Sequence, residues 1–145
     1  MSEQASKRSR ELFEQGYYCA ESVLLAVAES RGIQSDVIPG IATPFCSGLA
    51  RTCGMCGAVS GGIMGIGLAA GRSSPEATND LSYTLTREFI RRFEKQHGSI
   101  NCLGLTGCDL SSEAGQKAFK DGNIIERCRK YVGNAAGMVV SLTTK

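Results

Sequence analysis

Twenty consecutive residues, 52–71, carry no charged side chain and include seven glycines. The stretch is long enough to cross a membrane. Glycine is too frequent in it, however, and large apolar side chains are too few for a typical membrane span. We therefore expect this stretch to form a buried helix at the centre of a globular domain.

Small residues share one face of this predicted helix, which should cover about residues 54–70. They are Gly54, Gly57, Ala58, Gly61 and Gly65. Each glycine costs about 1 kcal/mol of helix stability relative to alanine, so close packing against another backbone is expected to offset that cost. The opposite face holds Cys56, Val59, Ile63, Ile66 and Ala70. Both faces are therefore expected to be buried.

Helix signals recur along the rest of the chain, with glycine at the ends of segments and few signs of strands. Further helices are expected at about residues 3–15, 19–30, 75–97, 112–122 and 123–142, and a short turn after Ser99 should hold Cys102. Ser74 as cap and Pro75 at the first helical position give the clearest start. The pattern predicts one all-α domain over residues 1–145, a compact bundle of four to five main helices with a buried glycine-rich central helix.

Charge and composition exclude some classes of protein. The net charge is only +2, from 16 basic and 14 acidic residues, and tryptophan is absent. Neither a basic patch nor stacking aromatics therefore supports nucleic-acid binding. The first residues are polar and lack the apolar segment of a secretory signal, so a cytoplasmic, reducing setting is expected.

Seven cysteines cannot all pair within one chain. In a reducing compartment cysteines are often redox catalysts or metal ligands, although each can also be a small buried apolar residue. Cys19, Cys56 and Cys102 lie at expected helix starts, where backbone N–H groups favour the thiolate. Cys56 also has Cys53 and Arg51 nearby, so it is expected to be the most acidic thiol.

Cys128 lies instead on an apolar stripe of the last helix, where burial opposes ionisation, so it is expected to be the least reactive thiol. Cys53 and Cys56 form a C-x-x-C pair, which is typical of thioredoxin-like sites and of half a zinc or iron–sulfur site. No second C-x-x-C and no convincing preceding strand occur, so neither a zinc ribbon nor a thioredoxin fold is expected.

Four short segments carry a family resemblance. Residues 16–24, GYYCAESVL, are similar to a GYNCAQAVL opening, and residues 56–61, CGAVSG, match a CGAxxG motif. Residues 98–102, GSINC, and 128–132, CRKYV, hold the next two cysteines in order. From Phe13 to about Ala136 the chain thus resembles the C_GCAxxG_C_C family of redox-active proteins.

The resemblance implies four shared cysteines, which are the candidate redox and cofactor-binding or metal-binding residues: Cys19, Cys56, Cys102 and Cys128. It also implies an iron–sulfur cluster or another metal as prosthetic group, and a redox protein or a transporter-associated protein as partner. These four cysteines are expected to lie close together. Cys53 is a further candidate metal ligand that should border the group, and Cys46 and Cys108 should lie outside it.

Three functions remain open at this point. The four cysteines act as a dithiol/disulfide or iron–sulfur redox centre, or they hold a static zinc or other metal ion in an accessory or carrier protein. In the third alternative they are inert core residues of a helical adaptor. The apolar last helix and the short chain also favour a homodimer.

Overall fold

A computed structural model describes residues 2–144. These residues form helices joined by loops without a β-strand, which confirms the all-α class. The helices are α1 (Ser2–Glu14), α2 (Cys19–Ser30), a 3-10 helix (Gly40–Phe45), α3 (Cys46–Arg51), α4 (Gly57–Ala70), α5 (Asp80–His97), α6 (Cys102–Thr106), α7 (Glu113–Asp121) and α8 (Ile125–Thr143). None of the helices within these residues has the length and apolar character needed to cross a membrane.

Helix α4 contacts three of the longer helices, α2, α5 and α8, while α1 packs against α8 and α2. Eight of the fourteen residues of α4 are buried. Val59 and Ile66 of α4 join Phe89 and Phe93 of α5 and Val132 of α8 in one apolar core. Burial of these side chains is the main source of stability for the bundle.

The glycines of α4 allow the close approach of its neighbours. A Cβ atom on Gly61 would lie 2.6 Å from the carbonyl oxygen of Ala20 in α2. A Cβ on Gly62 would lie 2.5 Å from the Phe89 ring of α5. Helix α4 therefore needs residues without side chains on two of its sides, and its axis runs close to the α2 backbone.

Helix α4 begins at Gly57, three residues later than the sequence predicts. The preceding residues 54–56 are paired with residues 100–102 instead. The Cys56 N–H donates to the Ile100 carbonyl at 2.7 Å, and the Cys102 N–H donates to the Gly54 carbonyl at 2.9 Å. This short bridge fixes the backbones of Cys56 and Cys102 beside each other.

Helix α5 begins at Asp80, although Ser74 and Pro75 predict a start at residue 75. The Arg72 guanidinium donates to the Pro75 carbonyl at 2.8 Å. The Ala77 N–H donates to the Ser74 carbonyl at 3.3 Å, which closes a turn. Ser74 therefore begins only this turn and not the helix. The Pro75 carbonyl, which a helix starting there would use for its own hydrogen bonds, accepts from Arg72 instead.

Helix α3 is a left-handed turn. Residues 47–50 have φ between 56° and 66° and ψ between 40° and 67°, and Arg51 continues the run with φ 67°. Left-handed backbone costs a residue with a side chain about 1–2 kcal/mol. The Gly48 carbonyl accepts hydrogen bonds from the N–H groups of Thr52, at 3.2 Å, and Gly54, at 2.9 Å, which help to hold the turn.

Replacing Ala50 by Gly is expected to raise the free energy of unfolding by about 0.5–1 kcal/mol. Ala50 is exposed and left-handed (φ 56°), so glycine relieves the strain at the cost of a more flexible unfolded chain. Ala118→Gly, at an exposed position within right-handed α7, is the matched control and should lose about 1 kcal/mol. Urea unfolding of both variants measures the difference. Equal losses in the two variants would show that the turn is unstrained.

Candidate thiol site

One cavity of about 530 Å³ lies where α2, α3, α6, α7 and α8 meet, a volume typical of small-molecule sites. Its walls include all four cysteines that the family resemblance singles out: Cys19, Cys56, Cys102 and Cys128. The remaining wall includes six large apolar or aromatic side chains besides Tyr18: Phe13, Leu105, Leu110, Phe119, Ile125 and Tyr131. Cysteines that are up to 109 residues apart in sequence therefore line the same cavity.

Cys19 is the first residue of α2 and is partly buried. Its sulfur packs against the start of α4, where a Cβ atom on Gly57 would lie 2.2 Å from Cys19 Sγ. The glycine that follows Cys56 in the CGAxxG segment therefore makes room for the thiol of Cys19.

The pKa of Cys19 is lowered to about 7. The largest cause is a hydrogen bond from the Cys46 thiol, which outweighs the opposing effect of burial. The backbone N–H groups of Ser47, Ala20 and Cys19 itself add to the lowering. Since the Ser47 N–H belongs to the left-handed turn, that turn and the α2 start jointly stabilise the thiolate.

The prediction that Cys56 is the most acidic thiol is wrong. Burial, and then the negative charge of Cys19, raise the pKa of Cys56 well above its ordinary value. Cys56 precedes α4 as its N-cap residue, and only 9% of it is exposed. The N–H groups at the helix start lower the pKa but do not offset the loss of hydration. Cys19 is the cysteine that has a lowered pKa.

The other two cavity cysteines are also weak acids. Burial raises the pKa of Cys128 to about 12, and the charge of Cys19 adds to this effect. The same two causes, in the same order, raise the pKa of Cys102. Cys128 is therefore a weak acid, but the prediction that it is the least reactive thiol does not match its acidity, since the pKa values of Cys56 and Cys46 are raised further. Near neutral pH Cys19 is therefore partly ionised, beside three neutral thiols.

Cys53 does not line the cavity. Its sulfur lies 3.1 Å from Oδ1 of Asp109, and this hydrogen bond raises the pKa of the Cys53 thiol. The C-x-x-C pair therefore does not present both of its thiols to the cavity, because residues 54–56 are extended and pair with residues 100–102.

Cys46 and Cys108 do not line the cavity. Cys108 is buried in a small cluster with Cys102 and Leu110. Cys46, however, packs against Cys19 behind the cavity wall. The sequence did not indicate this contact, because the segment of residues 31–45 that brings Cys46 back to α2 has no local signal for that path.

The four cavity cysteines do not converge on one point. Within residues 2–144, no three side chains of His, Cys, Asp or Glu are grouped so that they could hold a metal ion. The arrangement therefore does not fit a single zinc ion bound by these thiols, since such sites need four ligands at about 2–2.3 Å. The iron–sulfur centre stays a prediction.

The charged residues that line the cavity are all basic, namely Arg51, Lys117 and Lys120. Lys117 forms an ion pair with Asp121 at the surface. Since no carboxylate side chain among residues 2–144 contributes to the lining, the local potential favours an anionic ligand or a thiolate.

Fold and site together define an all-α protein with a cavity lined by four cysteines, one of them acidic. A family model described as "Putative redox-active protein (C_GCAxxG_C_C)" matches residues 17–142, and the chain belongs to this family. The match confirms the family indicated by the cysteine segments. A search of curated proteins and a search of solved structures gave no match.

Proposed function

We propose that this redox-active family member carries out thiol–disulfide exchange on a small molecule bound in the cavity, with Cys19 as the attacking thiolate. The observation that carries the proposal is the position of Cys19, partly buried on the cavity wall with a pKa of about 7. A thiol attacks disulfides best when its pKa is near the ambient pH, because it is then both ionised and nucleophilic.

The chemistry begins with a disulfide whose sulfur reaches Cys19 Sγ. The thiolate attacks one sulfur, a new S–S bond forms at Cys19, and the old S–S bond breaks. The leaving thiolate takes a proton from water. Apolar and aromatic walls suit the body of such a ligand, while Arg51 and Lys120 suit a negatively charged end.

The neutral thiols of Cys56, Cys102 and Cys128 line the rest of the cavity in this proposal. Because burial keeps them protonated, they do not compete with Cys19 for the first attack. Selectivity for one cysteine is therefore expected even though four line the same space.

The test is the rate of alkylation of each cysteine against pH, in reduced, metal-free protein. Cys19 should titrate with a midpoint near pH 7, and its rate should fall about tenfold per pH unit below that, because only the thiolate reacts. Cys128, with a pKa of about 12, should stay unreactive up to pH 9. A Cys19 midpoint at the ordinary value of about 8.5 would overturn the proposal.

A second measurement separates thiol exchange from the metal alternatives. Protein purified without oxygen is analysed for iron, zinc and visible absorbance before any reductant is added. Thiol exchange predicts that seven thiols titrate and that Cys19 is free to react. A visible chromophore, or protection of Cys19 that a chelator removes, would replace the proposal by an iron–sulfur or static metal site.

A further inference from the structure

We propose that Cys46, which lies outside the four family cysteines, is the redox partner of Cys19, and that the two form the disulfide that completes the exchange. The inference rests on the proposed attack by Cys19. It assigns the second thiol to a residue behind the cavity wall, in place of Cys56, Cys102 or Cys128.

Cys46 occupies the junction between the 3-10 helix and the left-handed turn α3. It is only 4% exposed and packs with Ala20, Leu24 and Ala42, and Cys19 packs against this cluster. Cys19 thus lines the cavity and also packs against the cluster that holds Cys46, which does not itself line the cavity. A substrate in the cavity therefore does not occupy the space of the Cys46 thiol.

The carboxylate of Glu21 holds these two segments together. One oxygen accepts the Tyr18 N–H at 2.9 Å and so caps the start of α2. The other accepts the Thr43 hydroxyl from the 3-10 helix at 2.5 Å. Because Tyr18 precedes Cys19 and Thr43 lies three residues before Cys46, one side chain ties together the two segments that carry these thiols.

Cys46 belongs to the buried cluster against which Cys19 packs. Its Sγ lies 3.6 Å from the Ala42 carbonyl oxygen, and it is also the thiol whose hydrogen bond lowers the pKa of Cys19. Cys53 is bonded to Asp109 instead. In the resting state the anionic Cys19 sulfur keeps the proton on Cys46 and raises the pKa of that buried thiol. Once Cys19 is part of a mixed disulfide its charge is lost, so this cause of the raised pKa disappears and Cys46 ionises more easily.

Cys46 gives up its proton and its sulfur attacks Cys19 Sγ of the mixed disulfide. The Cys19–Cys46 bond forms, the bond from Cys19 to the substrate sulfur breaks, and the second substrate thiolate takes the proton. Two protein thiols are oxidised by two electrons, and one substrate disulfide becomes two thiols. An external dithiol then returns the pair to the reduced state.

The sequence allows a direct experiment. Trypsin cuts after arginine and lysine, so residues 11–31 carry Cys19 as their only cysteine and residues 32–51 carry only Cys46. The reduced full chain is treated with bis(2-hydroxyethyl) disulfide at pH 7, quenched in acid, alkylated and digested. We expect free thiols to fall from seven to five and mass spectrometry to show peptide 11–31 joined to peptide 32–51.

Cys46→Ser should stop the reaction at a hydroxyethylthio adduct on Cys19. Cys108→Ser is the matched control, since Cys108 is equally buried but packs with Cys102, and it should keep the cross-link. The wild-type cross-link needs no variant, so misfolding of Cys46→Ser does not decide the result. A lasting Cys19 adduct in the wild type, or a cross-link from Cys19 to another peptide, would overturn the role of Cys46 but not the attack by Cys19. If Cys19 is not modified at all, the proposed function itself would be overturned.

Discussion

Gly57→Ala is expected to slow alkylation of Cys19 at pH 7 about tenfold. The new Cβ would lie 2.2 Å from Cys19 Sγ and 3.1 Å from the Ala20 nitrogen, so the sulfur must shift away from the Cys46 thiol and the N–H groups that stabilise its thiolate. Without them the pKa of Cys19 should return from about 7 towards its ordinary value near 8.5, where only a small fraction is thiolate at pH 7. The measurement is the cysteine-resolved alkylation rate.

Gly67→Ala is the control for this variant, because it makes the same change in the same helix at an exposed position where a Cβ meets nothing within 4 Å. It should leave the Cys19 rate unchanged and gain up to about 1 kcal/mol of stability from helix propensity. Unaltered Cys19 reactivity in folded Gly57→Ala would refute the idea that this glycine exists to accommodate the thiol.

Gly61→Leu is expected to lower the free energy of unfolding by at least about 1–3 kcal/mol, the usual cost of overpacking. Even the Cβ would lie 2.6 Å from the Ala20 carbonyl oxygen and 2.9 Å from its Cα. These are backbone atoms, so relief requires a shift of α2 as a whole. For a chain of this size the melting temperature should fall by about 2–4 °C per kcal/mol.

The matched control is Gly67→Leu, which places the same side chain on the open side of α4. It should melt at or above the wild-type temperature, because leucine is the better helix former. If both leucine variants melt like the wild type, the close approach of α2 and α4 at Gly61 is absent in solution.

Helix ends with a local signal could be predicted from the sequence. Cys19–Ser30 is found as predicted, because Gly16 and Gly32 flank a continuous apolar pattern, and Ser112 caps α7 by accepting the Gly115 N–H at 2.9 Å. The starts of α4 and α5 were not predictable in this way. Each depends on a partner that the local pattern does not contain, namely the 100–102 backbone and the Arg72 side chain.

In the candidate site, too, local features could be predicted from the sequence and features that depend on tertiary contacts could not. The order of the cysteines and their local motifs correctly indicated the family, but the acidity of each thiol depends on burial and tertiary contacts. Cys56 has the sequence of a reactive thiol and is too buried to ionise easily. Cys19 owes its low pKa mainly to Cys46, 27 residues away, and then to the N–H of Ser47. Ser47 begins the left-handed turn that follows Cys46, which four residues with side chains adopt against their intrinsic preference.

The left-handed turn α3 contacts two of the cavity cysteines, Cys19 and Cys102. Ser47 directs its N–H to Cys19, and the next residue, Gly48, is so close to Cys102 that a Cβ there would lie 2.5 Å from Cys102 Cβ. One peptide bond separates the two contacts. Any adduct that enlarges Cys19 and displaces Ser47 must therefore push Gly48 against α6 or away from it. We therefore expect the packing around Cys102 to differ between the free and the modified state of Cys19.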